Sequence, residues 1–152
     1  MPEWKIPLYK VYWDEEDLEA VTRVIKRGTY WATGPEIEAF ERKVADYVGT
    51  KFGVSFNSGT SALHAILLAY GIGTGDEVIV PSFTFIATAN APLFVGAKPV
   101  FVDIDARTYN IDPEKIEEKI SDKTKALLIV HLYGQPCEMK KITKICRQYG
   151  LI

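Results

Sequence analysis

From Phe52 onward, short continuous apolar runs alternate with helical stretches. The runs are Phe52 to Phe56, Glu77 to Val80, Val100 to Val102 and Ala126 to Val130. Between and after them come helical segments at Thr60 to Tyr70, about Ile86 to Phe94, a short one from Asp112-Pro113 to near Ile120, and Glu138 to Tyr149. Strands that read as unbroken apolar runs are buried on both faces. Strand and helix in strict alternation give a mostly parallel sheet with helices on both faces, an α/β fold.

Two helices precede this pattern. Asp14 to Lys26 has acidic residues in its first turn, basic residues at its end and Gly28 as a stop, all of which favour a helix. Pro35 opens a second helix, about Glu36 to Val48, with Ile37, Phe40, Val44 and Val48 on one face. Residues 1–13 form an aromatic-rich arm containing Trp4, Tyr9, Tyr12 and Trp13. The expected division is an arm and helix over residues 1–30, then an incomplete α/β domain over 31–152.

The last helix stops at Gly150, and Leu151-Ile152 reads as the start of another strand. A sheet ending there would leave an open edge. The expectation is the N-terminal part of a longer protein, or a chain completed by a partner.

The formal net charge of −2 argues against a nucleic-acid or anionic-membrane binder. No apolar run approaches the roughly 20 residues of a membrane span. No secretory signal is visible, so the expected location is cytoplasmic. Cys137 and Cys146 fall on roughly opposite helical faces, so neither a disulfide between them nor a shared metal is expected.

Ligands of open α/β sheets bind beyond the carboxyl ends of the strands. The loops there are "NSGTS", "PSFTFIAT", "DIDARTYNID" and "HLYGQP". In the first, Gly59 permits close backbone approach. Thr60 and Ser61 add hydroxyls and N–H groups at a helix start, where an anion is favoured. Neither a Walker loop nor the G-x-G-x-x-G fingerprint is present. Plain N-capping explains Ser58 and Thr60 equally well, and the loop alone leaves both readings open.

Phe83 and Phe85 follow the second strand. One is expected to pack into the core, and the other to offer a ring face to a flat ligand. His131 stands at a strand end, whereas His64 reads as a packed helix residue. Asp103 and Asp105 read either as paired carboxylates or as a solvated turn. No Cys or His spacing suits a metal.

The segments "TGPEIEAFERKVADYVG", "NSGTSALHAILLA", "GDEVIVPSFTFIATANAPLFVGAKPVFVDID" and "VHLYGQPCEM", in this order and spacing, resemble the DegT/StrS family of pyridoxal-phosphate-dependent sugar aminotransferases. The likeness is to the N-terminal part of the large domain, of the fold-type-I, aspartate-aminotransferase-like kind. It implies pyridoxal 5′-phosphate (PLP) as cofactor, a nucleotide-sugar keto substrate, an amino-acid donor, and a role in polysaccharide or amino-sugar biosynthesis. It implies that Gly59, Thr60 and Ser61 bind the cofactor phosphate and that Phe85 stacks on the pyridine ring. Thr33 and Gly34 match a loop near the site mouth. For His131, Tyr133 and Gln135 it implies proximity to the site.

The family's Schiff-base lysine and the Asp that pairs with the pyridine nitrogen lie beyond the matched segments, so no catalytic residue is assigned within these 152 residues. The resemblance therefore implies inactivity of this portion alone, and assembly as a homo-oligomer or with another chain. Alternative expectations are a non-catalytic cofactor- or partner-binding remnant and a PLP-dependent sugar dehydratase.

Overall fold

A computed structural model describes residues 5–6 and 9–152; the reading of Trp4 as part of an aromatic arm lies outside them. The chain divides into two compact units, one ending at Ser55 and the other Phe56–Ile152.

The first unit holds α1 (Glu15–Arg27) and α2 (Pro35–Val48). Asp14 caps α1 by accepting from the Glu16 and Asp17 N–H groups, and Asp17 returns the bond in a capping box. Pro35 occupies the first turn of α2, and Gly49 closes that helix in the left-handed conformation.

The expected strand over Phe52 to Phe56 is not formed. A strand needs a ladder partner, and none pairs with this segment among the described residues. It is fastened to α2 instead. Glu41 Oε1 accepts from the Ser55 N–H at 2.7 Å and from the Ser55 hydroxyl at 2.8 Å. Gly53 lies so close to α2 that an added Cβ would stand 2.6 Å from the Glu41 carbonyl oxygen.

The two Ser55 bonds hold the Glu41 carboxyl below its ordinary value near 4.5. A depressed carboxyl pKa gives stabilisation that is complete above the ordinary value and lost as pH falls through the lower folded one. The Ser55 amide is therefore expected to lose exchange protection as pH drops below about 4.5, and Glu41→Gln is expected to flatten that dependence. An unchanged profile in the variant would rule out Glu41 as its source.

The second unit is built on a three-stranded parallel sheet. Its strands are β1 (Glu77–Pro81), β2 (Lys98–Val102) and β3 (Thr124–Leu127), in the order β2-β1-β3. The helices are α3 (Gly59–Ala69), α4 (Ala87–Phe94) and α5 (Met139–Tyr149). Because strand side chains alternate, central β1 serves two cores. Val78 and Val80 join Leu67 of α3, Ala89 and Ala91 of α4, and Ala126 of β3. Ile79 faces the other way, into a cluster with Val102, Ile111, Ile116, Ile142 and Ile145. The sheet is thus covered on both faces, as the apolar runs require.

One local reading changes and another holds. The helix expected after Asp112 is a pair of 3₁₀ turns, Pro113–Lys115 and Glu117–Lys119. Buried Pro113 and Ile116 are three residues apart, which matches three residues per turn. Leu151-Ile152 does begin to extend the sheet. The Leu127 N–H donates to the Ile152 carbonyl at 2.8 Å, and the Ile152 N–H to the Lys125 carbonyl at 3.0 Å. Among the described residues no helix is long and apolar enough to cross a membrane.

Candidate functional site

Parallel strands bring three connecting loops to one end of the sheet, the carboxyl end. They follow Pro81, Val102 and Leu127, and they are tied to one another. The Ser82 hydroxyl donates to Asp103 Oδ1 at 3.2 Å, joining the first two. The rings of Phe83 and Tyr109 meet with centroids 5.9 Å apart. Asn110 joins the second loop to the third, donating from Nδ2 to the Gln135 carbonyl at 2.9 Å and accepting at Oδ1 from the Leu132 N–H at 3.0 Å.

At the start of α3 the capping role expected for "NSGTS" is formed. Ser58 is a true N-cap: its hydroxyl oxygen accepts from the Ser61 N–H at 3.1 Å. The Ser61 hydroxyl donates to Asn57 Oδ1 at 2.8 Å. Capping nevertheless uses only part of the first turn. The leading N–H groups of a helix have no intrahelical acceptor, which leaves those of Gly59 and Thr60. An added Cβ on Gly59 would meet nothing within 4 Å, so a ligand can approach the backbone there. This geometry suits a phosphate, with the Thr60 side chain as the hydroxyl that capping does not consume.

Phe85 is 75% exposed and Phe83 47% exposed, so neither packs into the core as one was expected to. The core positions of the preceding strand are filled by Val80 and Ile79. Phe83 finds Tyr109, and Phe85 keeps an open ring.

The third loop carries His131, Tyr133 and Gln135. His131 Nδ1 accepts the Cys137 N–H at 3.1 Å, which assigns the neutral ring's proton to Nε2. Tyr133 is 89% exposed and has a positive φ of 52°. Bulky residues rarely adopt this conformation. Tyr109, at 59°, shares it. Cys137 is buried and Cys146 half-buried, both as free thiols, and burial pushes both thiols up from their ordinary value. His64 packs its ring 5.6 Å from that of Phe94.

The two aspartates of the second loop serve the turn. Asp105 bonds the Arg107 guanidinium and backbone N–H, and these bonds hold its carboxyl down to about 2. Asp103 accepts from the Ile104 N–H, Lys115 and Ser82, and its carboxyl is also lowered.

In the first unit, Gly34 has a structural cause. Arg27 grips Glu36 with two bonds, at 2.8 and 3.0 Å, and also donates to the carbonyls of Thr29 and Tyr30. A Cβ on Gly34 would lie 2.5 Å from Arg27 Nη2 and 2.5 Å from the Tyr30 carbonyl oxygen. Gly34→Ala is accordingly expected to open this clamp and cost about 1–3 kcal/mol through overpacking, as read by chemical denaturation. An unchanged midpoint and slope would show that the loop absorbs the methyl. Thr33 precedes this glycine and is exposed.

Sequence inspection missed Asn110, the Arg27–Glu36 clamp and Lys115. Lys115 Nζ lies 3.3 Å from Asp103 and 3.7 Å from Asp112, so it is the lysine brought toward the carboxyl end. No local pattern marks Asn110, because its side-chain partners Leu132 and Gln135 lie more than twenty residues away.

A parallel sheet with helices on both faces is also the fold of this chain's structural neighbours, PLP-dependent aminotransferases of fold type I. The solved structure of NtdA from Bacillus subtilis with bound cofactor PMP is similar to this chain with a TM-score of 0.84 and 42% identity, over 88% of this chain and 31% of that one. The chain belongs to the DegT/DnrJ/EryC1/StrS aminotransferase family, which matches residues 11–152. It is 50% identical to a dTDP-3-amino-3,6-dideoxy-alpha-D-galactopyranose transaminase of Aneurinibacillus thermoaerophilus, over 91% of this chain and 38% of that protein. It is 47% identical to a UDP-2-acetamido-2-deoxy-3-oxo-D-glucuronate aminotransferase of Pseudomonas aeruginosa, over 86% and 36%. The chain thus spans less than two fifths of the length of these relatives.

Proposed function

We propose that these residues form the phosphate-holding part of a PLP-dependent aminotransferase that transfers an amino group from an amino acid to a keto sugar carried on a nucleotide, in the cytoplasm. Residues 31–152 contribute to its cofactor-binding large domain, and the active assembly is a homo-oligomer or is completed by another chain. The observation that carries this reading is the open first turn of α3, with two N–H groups left over after Ser58 has capped the helix. Membership in the family and the sugar-nucleotide names of the two relatives support the substrate class.

In this reading the Gly59 and Thr60 N–H groups and the Thr60 hydroxyl hold the phosphate, Ser61 joins them by turning its hydroxyl away from Asn57, and the helix dipole favours the charge. Phe85 lies against the flat ring. His131, Tyr133 and Gln135 line the substrate side. His131 offers an Nε2–H donor there, because its other nitrogen already accepts from Cys137. When bound, the cofactor supplies the electron sink that amino transfer requires.

Pyridoxine 5′-phosphate keeps the ring and phosphate but lacks the reactive aldehyde, so it reports the cradle alone. The 152-residue chain is expected to bind it, and Thr60→Ala is expected to weaken binding by about 1–3 kcal/mol, the worth of a hydrogen bond to a charged group. Equal affinity for wild type and variant in equilibrium dialysis would return this turn to capping only.

A further inference from the structure

Asn110 is only 3% exposed, and it spends its side chain on two backbone groups of a loop more than twenty residues away. Nδ2 donates to the Gln135 carbonyl and Oδ1 accepts from the Leu132 N–H, at 2.9 and 3.0 Å. The two bonds bracket Tyr133 and Gly134, both with positive φ. Donor and acceptor are complementary, so only one orientation of the amide satisfies both partners. Asn110 is itself fixed. Its carbonyl accepts the Asp105 N–H at 2.9 Å, and buried Ile111 follows in an antiparallel bridge to Ile104.

We infer that Asn110 is a positioning residue that sets the shape of the 131–135 loop at the ligand-binding end of the sheet. Two adjacent residues at positive φ do not hold their conformation through local preference, since the bulky Tyr133 disfavours it. The cross-loop amide supplies the restraint. Cys137 closes the other end, with its N–H on His131 Nδ1 and its thiol donating to the Val130 carbonyl at 3.1 Å. The loop is therefore held at both ends, and the exposed Tyr133 ring is presented from a fixed backbone. The inference rests on the reading that this end of the sheet takes a flat phosphorylated ligand.

The test joins amide exchange, followed by NMR on the 152-residue chain, to dialysis with pyridoxine 5′-phosphate. In Asn110→Ala, exchange at Leu132 is expected to rise at least tenfold beyond any change at Val80 in the core. Ligand affinity is expected to fall several-fold. Should that variant fail to fold, Asn110→Asp keeps the acceptor for Leu132 but removes the donor to Gln135. Its expected signature is shifted amide resonances at Tyr133, Gly134 and Gln135, with weakened binding. Unchanged Leu132 exchange in the first variant, or unshifted loop resonances in the second, overturns the inference. Altered loop behaviour with unchanged affinity overturns the positioning role as well. If the wild type itself does not bind the probe, the proposed phosphate site fails, while the exchange data still decide whether Asn110 shapes the loop.

Discussion

Replacing Ile79 with alanine is expected to destabilise the second unit by about 2–5 kcal/mol, the usual cost of emptying a large buried aliphatic position. Ile79 is fully buried at the middle of the central strand. It packs among Val102, Ile111, Ile116, Ile142 and Ile145, which come from β2, the loop after it, the junction of the two 3₁₀ turns and α5. The neighbours belong to four separate segments, each fastened elsewhere, so they collapse poorly into a void. Its backbone is equally committed: the Ile79 carbonyl accepts the Leu128 N–H at 2.9 Å. Denaturant titration is the measurement. A loss under about 1 kcal/mol would show that this core relaxes far more than a close-packed interior should. Val80→Ala tests the opposite face of the same strand, and its loss should be smaller because fewer methyl groups are removed.

The second expected result is all-or-none. Treating the 152-residue chain with PLP and borohydride is expected to leave no single lysine stoichiometrically modified. Covalent capture needs an amine free to attack and set close to the bound ring. The lysines of the sheet are at the wrong end: Lys98 opens β2 and is paired with Glu77 at 3.0 Å, and Lys125 lies near the start of β3. Lys140, Lys141 and Lys144 ride on α5, with Lys141 held by Glu114 and Glu138. Lys115 reaches Asp103, just past the carboxyl end of β2, and Asp103 and Asp112 take up its Nζ. Mass spectrometry of the reduced, digested protein decides the matter. One lysine carrying the full adduct, with loss of the adduct on its replacement, would mean that this portion anchors the cofactor unaided.

The parts of the fold that follow from short-range chemistry were legible in the sequence. The acidic first turn of α1, Pro35 at a helix start and the closing glycines Gly28 and Gly150 each act within a few residues. Central β1 was legible because both of its faces are apolar and buried. Phe52 to Phe56 was misread because a strand is a property of two segments, and its composition carries no record of the missing partner. The same limit explains the site. Ser58, Gly59 and Thr60 are adjacent, so their joint geometry can be read from one stretch. Asn110 gains its meaning from Leu132 and Gln135, and Arg27 from Glu36 and Tyr30, contacts that only the folded chain creates.

Three tyrosines stand at positive φ: Tyr30, Tyr109 and Tyr133. A left-handed conformation costs an ordinary residue roughly 1–2 kcal/mol, and glycine almost none. At each of these places the backbone would be more comfortable with glycine. A glycine scan of the three positions would therefore separate ring from backbone: stability is expected to hold or rise where the ring serves only recognition, and to fall where, as with Tyr109 against Phe83, it also packs.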